Sequence, residues 1–214
     1  MENPVPGAQV WFTDGSKQSN MDTGARVYGP RFQRAIPMGK FPSIFQAEIF
    51  AICVCVGECL KRGTRRADIY ILSDSQAALM ALSNYEVTSA LALDCIVSLN
   101  HLGTHNRVTL IWVPGHEGHM GNERADCLAN CGARRPFIGP EPFCGVPFGY
   151  IREKVKNWGE SEFATYGAQS AGQRQAKNFI SISAGKSRKL MSLSTNELRI
   201  VTNFLTLQSQ ISTV

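Results

Sequence analysis

Four carboxylates, each at the edge of an apolar run, constrain this chain more than any other feature. Asp14 stands in Phe12-Thr13-Asp14-Gly15-Ser16 and Glu48 in Gln46-Ala47-Glu48-Ile49. Asp74 stands in Leu72-Ser73-Asp74-Ser75 and Asp126 in Asn122-Glu123-Arg124-Ala125-Asp126. If the apolar runs pack into one core, their edges converge and bring these acids with them. Carboxylates gathered at one point repel each other unless cations sit among them. An all-carboxylate donor set suits hard Mg²⁺, with Mn²⁺ as a substitute, rather than zinc, and such ions serve phosphate chemistry. Taken singly, each acid has a plainer explanation. Asp14 could be a turn residue, Glu48 a surface acid, Asp74 a helix N-cap, and Asp126 a first-turn acid favoured by the helix dipole.

The apolar periodicity supplies the elements that would gather them. Val10 to Thr13 reads as a buried strand delivering Asp14 at its end. Gly24 to Gly29 and Gln33 to Met38 read as two further strands, joined through Tyr28-Gly29-Pro30-Arg31. From Ser43 the period changes: Phe45, Ile49, Ile52, Cys53, Val56 and Leu60 form a helical stripe, ended by Lys61-Arg62-Gly63. Asp68 to Leu72 is a strand delivering Asp74. Gln76 to Leu82 and Thr88 to Leu102 are helices, Arg107 to Val113 a strand, and Asn122 to Ala133 a helix. The order βββαβααβα implies an α/β fold, a mixed five-stranded sheet with helices on its faces. The strands carrying Asp14 and Asp74 can then lie side by side at its centre.

Residues 1–7 form a short leader, 8–134 the main domain, and 135–150 a linker rich in proline and glycine. Residues 151–214 read as a basic helical extension, cut short, with helices over Ile151–Tyr166 and Leu198–Leu207, the second opened by the capping box Ser194-Thr195-Asn196-Glu197. The net charge of +5 sits there: residues 8–133 hold 11 Lys/Arg against 11 Asp/Glu, residues 134–214 hold 11 against 5. Such an excess suits a phosphate backbone, and a solvated surface equally. The basic run Lys61 to Arg66 likewise reads either as complement to a helix dipole or as a phosphate contact. There is no run of about 20 apolar residues and no secretory signal, so the expected location is nucleus or cytoplasm, away from membranes. Seven cysteines without a secreted spacing pattern read as reduced thiols used for packing. His116 and His119 form a His-x-x-His, but no cysteine lies nearby in sequence and the surroundings are glycine-rich, which argues against zinc.

The motifs Thr13-Asp14-Gly15-Ser16, Gln46-Ala47-Glu48 and Ser73-Asp74-Ser75-Gln76, then Gly115-His116-Glu117-Gly118 and Asn122-Glu123-Arg124-Ala125-Asp126, resemble the type 1 ribonuclease H family in order and spacing. Trp112-Val113-Pro114-Gly115-His116 and Pro136-Phe137-Ile138-Gly139-Pro140-Glu141-Pro142 resemble the ribonuclease H region of animal non-LTR retrotransposon polyproteins. The resemblance implies a ribonuclease H-like fold and two-metal hydrolysis of the RNA strand of an RNA:DNA hybrid, leaving 5′-phosphate and 3′-hydroxyl ends. It implies Asp14, Glu48, Asp74 and Asp126 as metal ligands, and His116 as an aid to proton transfer and product release. Ser16, Ser75, Gln76 and Asn122 would contact substrate, and a reverse transcriptase domain of the parent polyprotein would be the partner. Cellular members often carry a basic, tryptophan-bearing substrate handle after the second helix. Here Asn84 to Cys95 contains no Lys or Arg, which implies weak hybrid binding without the attached polymerase. The alternative reading is a nucleic-acid-binding remnant of a retroelement with little turnover.

Overall fold

The computed structural model describes residues 5–115, 136–169, 189–201 and 203. Three strands open the chain: β1 (Gln9–Lys17), β2 (Thr23–Gly29) and β3 (Phe32–Gly39). Then come α1 (Ile44–Lys61), β4 (Asp68–Ser73), α2 (Gln76–Ser83), α3 (Ala90–Gly103) and β5 (Arg107–Trp112). They make a mixed five-stranded sheet in the order β3-β2-β1-β4-β5. β1, β2 and β3 pair antiparallel through short turns, whereas β4 runs parallel to both β1 and β5. Parallel neighbours need crossover connections, supplied here by the helical segments. The chain falls into two compact units, Met1–Pro147 and Phe148–Val214.

The core of the first unit lies between the sheet and α1. Trp11, Val27, Met38, Ile49, Ile52, Val56, Ile69, Ile71 and Leu102 are buried in it. The helical stripe read from the sequence is rotated in the structure. Ile49, Ile52 and Val56 are core residues as expected, but Phe45, Cys53 and Leu60 only pack against its rim, while Ala47, Ala51, Cys55 and Cys59 complete the centre. From Ala47 to Val56 this helix is apolar almost all round apart from Glu48, so periodicity alone could not fix which side faces the sheet.

Two close approaches lock the far end of α1. A side chain at Gly29 would collide with the indole of Trp11, so β2 can pass over that ring only with glycine there. The Arg62 guanidinium lies 5.5 Å from the Trp11 ring and 5.6 Å from that of Phe32. It also donates to Glu58 Oε1 at 2.7 Å and to the carbonyls of Pro30 and Arg31. Arg62 therefore pins α1 to the β2–β3 turn, a role that neither reading of the basic run gave it.

Residues 136–147, rich in proline and glycine, belong to the first unit and pack beside the start of α1. Glu141 accepts from the Lys40 N–H at 3.1 Å, and Gln46 Nε2 donates to the carbonyl of Cys144 at 3.3 Å. Phe143 meets Phe50 edge-on at 4.9 Å. In the second unit, α4 (Phe148–Gln169) extends three residues beyond the sequence reading at each end and leaves Phe148, Val155 and Trp158 exposed. Ser194 forms the expected capping box with Glu197, and the chain is helical over 195–201. Among the described residues, no helix is long and apolar enough to cross a membrane. Cys55, Cys59 and Cys95 are buried free thiols, and Cys53 and Cys144 are half-buried ones.

Candidate active site

The sheet register explains how two of the acids meet. β1 and β4 pair in parallel up to Thr13 opposite Ser73, where β4 ends. Asp14 and Asp74 are thus the next residue on each of two adjacent central strands. Asp14 is not at the end of its strand, as the apolar run suggested. β1 continues to Lys17 because its antiparallel partner β2 still pairs with it there, from Asp14 opposite Arg26 to Lys17 opposite Thr23.

Glu48 arrives from α1. The helix starts at Ser43, whose Oγ accepts from the Gln46 N–H at 3.1 Å while Gln46 Oε1 accepts from the Ser43 N–H at 2.9 Å. This reciprocal cap fixes the first turn and therefore the phase of Glu48. Gly15 sets its depth: a β-carbon there would lie 2.7 Å from the Glu48 nitrogen and 2.8 Å from the Ala47 β-carbon. Only glycine lets α1 come this close to β1, and the Gly15 N–H donates to the Glu48 carboxylate. The result is one carboxylate oxygen each from Asp14, Glu48 and Asp74, all within 4.8 Å of one another.

Asp74 is held through its backbone. Its carbonyl accepts from Trp112 Nε1 at 3.0 Å, across from the end of β5. The N-cap of α2 is not Asp74 but Ser75, whose Oγ accepts from the Ala78 N–H at 3.3 Å. The plain reading of Asp74 as a cap therefore fails, because its neighbour fills that role. The loop after β5 also reaches the cluster: a β-carbon at Gly115 would lie 3.0 Å from Asp74 Oδ2.

The electrostatics fit a cation. Glu48 is only 4% exposed. Burial first, then the charge of Asp14, pushes its carboxyl up to about 9; Asp74 adds to this, while the Gly15 N–H and Arg26 oppose it. Its Oε2 is buried with no hydrogen-bond donor. A buried carboxylate oxygen without a donor is costly, and a metal ion is one of the few partners that can satisfy it. Three carboxylate oxygens at one point, on acids that include the orphaned Glu48 Oε2, suit a hard divalent ion.

Sequence reasoning missed Arg26. Its guanidinium is fully buried and donates from Nη2 to Asp14 Oδ2 at 2.9 Å. The signal was a charged residue between Ala25 and Val27 in a strand, but only the register puts it opposite Asp14. Of the proposed substrate contacts, Ser16 is half-buried with its Oγ lacking a partner, Ser75 caps α2, and Gln76 is exposed at the first position of α2. His116, Asn122, Asp126 and the helix Asn122 to Ala133 lie outside the described residues.

Comparison with known proteins agrees with this geometry. Residues 6–134 match the family described as RNase H. Over 137 residues the chain is 29% identical to a protein of Herminiimonas arsenicoxydans named Ribonuclease H, covering 56% of this chain and 91% of that one. A Ribonuclease H of Pseudomonas entomophila (strain L48) is 34% identical over 87 residues, 35% of this chain and 59% of that one. One of Janthinobacterium sp. (strain Marseille) is 33% identical over 87 residues, 35% and 60% respectively. Sheet order, carboxylate cluster and family match together define a hydrolase of the ribonuclease H class. The chain belongs to the RNase H family.

Proposed function

We propose that this protein hydrolyses the RNA strand of RNA:DNA hybrids, leaving 5′-phosphate and 3′-hydroxyl ends, at a centre formed by Asp14, Glu48, Asp74 and Asp126. The observation that carries the reading is the convergence of Asp14, Glu48 and Asp74 within 4.8 Å, with a buried Glu48 oxygen lacking any donor. The chemistry that two Mg²⁺ ions supply when bound, with Mn²⁺ as a substitute, is activation of a water and stabilisation of the leaving 3′ oxygen. The protein's part is positioning. Gly15 and the Ser43–Gln46 cap set Glu48, β1 and β4 align Asp14 with Asp74, and Trp112 fixes the backbone of Asp74. His116 assists proton transfer and product release. Ser16, Ser75, Gln76 and Asn122 contact the hybrid, whose recognition rests on the 2′-hydroxyls of one strand.

The runs Trp112 to His116 and Pro136 to Pro142 support an origin in a non-LTR retrotransposon polyprotein, with a reverse transcriptase domain as partner. In this reading residues 8–134 are the catalytic domain and the basic residues beyond 150 add non-specific affinity. A second reading, a hybrid-binding module with little turnover, is favoured by one observation: Arg26 already holds Asp14.

The test incubates the purified protein and Mg²⁺ with RNA:DNA hybrid, single-stranded RNA, double-stranded RNA and double-stranded DNA. Asp74→Asn runs beside it to exclude a contaminating nuclease. Cleavage of RNA in the hybrid alone, lost in the variant, supports the enzyme. Hybrid binding without cleavage in Mg²⁺ or Mn²⁺ supports the second reading.

A further inference from the structure

We propose that Arg26 is a built-in competitor for the metal: a fixed internal cation whose guanidinium neutralises Asp14 and weakens the cluster's hold on divalent ions. The inference rests on the metal-centre reading above and names the residue that tunes it. Arg26 is fully buried, and its Nη2 lies 2.9 Å from Asp14 Oδ2. Asp14 and Arg26 are direct cross-strand partners, so their side chains leave the same face of the sheet and the pairing is imposed by the β1–β2 register. The guanidinium also favours the charged form of Glu48, an opposing effect that vanishes where that carboxyl is already ionised, so the affinities below are compared above pH 9.

Charge decides what this does to a metal. Asp14, Glu48 and Asp74 offer three negative charges when ionised, and Arg26 cancels one of them. Because arginine stays protonated in proteins, this positive charge cannot be shed when a divalent ion approaches. The incoming ion must share Asp14 with a cation already bonded to it, inside a buried site where charges are poorly screened. Taking the charge away from position 26 therefore strengthens metal binding. If Arg26 merely braced Asp14 for ligation, the same change would weaken it.

The experiment measures Mg²⁺ affinity by calorimetry, and by the rise in melting temperature with Mg²⁺, for the whole chain, Arg26→Gln and Arg26→Lys. Gln keeps a donor for Asp14 without the charge, and Lys keeps the charge. The expected result is binding at least tenfold tighter in Arg26→Gln and unchanged in Arg26→Lys. Equal or weaker binding in Arg26→Gln, with wild type binding Mg²⁺, overturns the proposal and leaves the metal centre standing. No Mg²⁺ response in any of the three overturns the centre and the proposal together. A measurement on the unmodified protein guards against a variant that does not fold. The Arg26 side-chain N–H signals, followed by nuclear magnetic resonance, should shift with the same midpoint as Mg²⁺ binding. Signals that stay still while Mg²⁺ binds refute the competition.

Discussion

The proton on Glu48 and a divalent cation should compete for the same carboxylate. With its carboxyl pushed up to about 9, Glu48 is protonated at pH 7 in the metal-free fold. Binding a metal then requires release of that proton. Two pH units separate 7 from about 9, so apparent Mg²⁺ affinity should rise by about fiftyfold between them, levelling at about a hundredfold above pH 9. Calorimetry in two buffers of different ionisation heat counts the protons: about one per site filled at pH 7, falling to about half of one at pH 9 and toward none above it. Stability moves the other way without metal. The folded value lies above the unfolded 4.5, so the contribution of Glu48 is fully present below pH 4.5 and is lost as pH rises through about 9. Glu48→Gln mimics the protonated acid at every pH and avoids this loss. It should raise metal-free stability at pH 7 by up to about 3 kcal/mol and cancel the stabilisation by Mg²⁺. Denaturant melts with and without Mg²⁺ check both. No proton release at pH 7, or a Gln variant less stable than wild type, would refute the reasoning.

Three other perturbations separate positioning from packing. Gly15→Ala places a β-carbon against the backbone of α1, so the helix must shift. It should cost about 1–3 kcal/mol in denaturant melts, and hybrid cleavage should drop by roughly a hundredfold as Glu48 moves away from Asp14. Arg62→Ala should lower the melting temperature while leaving the salt dependence of hybrid binding unchanged, because its guanidinium is committed to Glu58, Trp11 and the β2–β3 turn; a flatter salt slope would restore the phosphate-contact reading. Removing residues 151–214, with their excess of Lys and Arg, should flatten the salt dependence of hybrid binding measured by filter retention, and an unchanged slope would show that the extension does not touch the backbone.

What the sequence made legible was the set of elements and the identity of three converging acids. Asp14 and Asp74 each follow an apolar strand run, and the order of elements makes those strands neighbours. Three things required coordinates. The continuation of β1 through Asp14 depends on its pairing with β2, and composition says nothing about register. The inward face of α1 was ambiguous because Ala47 to Val56 is apolar almost all round, so Cys55 and Cys59 could not be told from Cys53. The approach of α1 to Gly15 is visible only in three dimensions: in sequence Asp14-Gly15 looks like a turn, whereas here the glycine sits within a strand under a helix. Arg26 was overlooked for the same reason as the register, since a lone arginine in a strand reads as an edge or surface residue until its partner is known.

The most direct test of the metal centre is a crystal of this protein soaked in Mn²⁺, with anomalous difference density collected near the manganese edge. The account predicts a peak among the carboxylates of Asp14, Glu48 and Asp74, within bonding distance of the Glu48 oxygen that now lacks a donor. Peaks confined to surface acids, with none at that cluster, would contradict it.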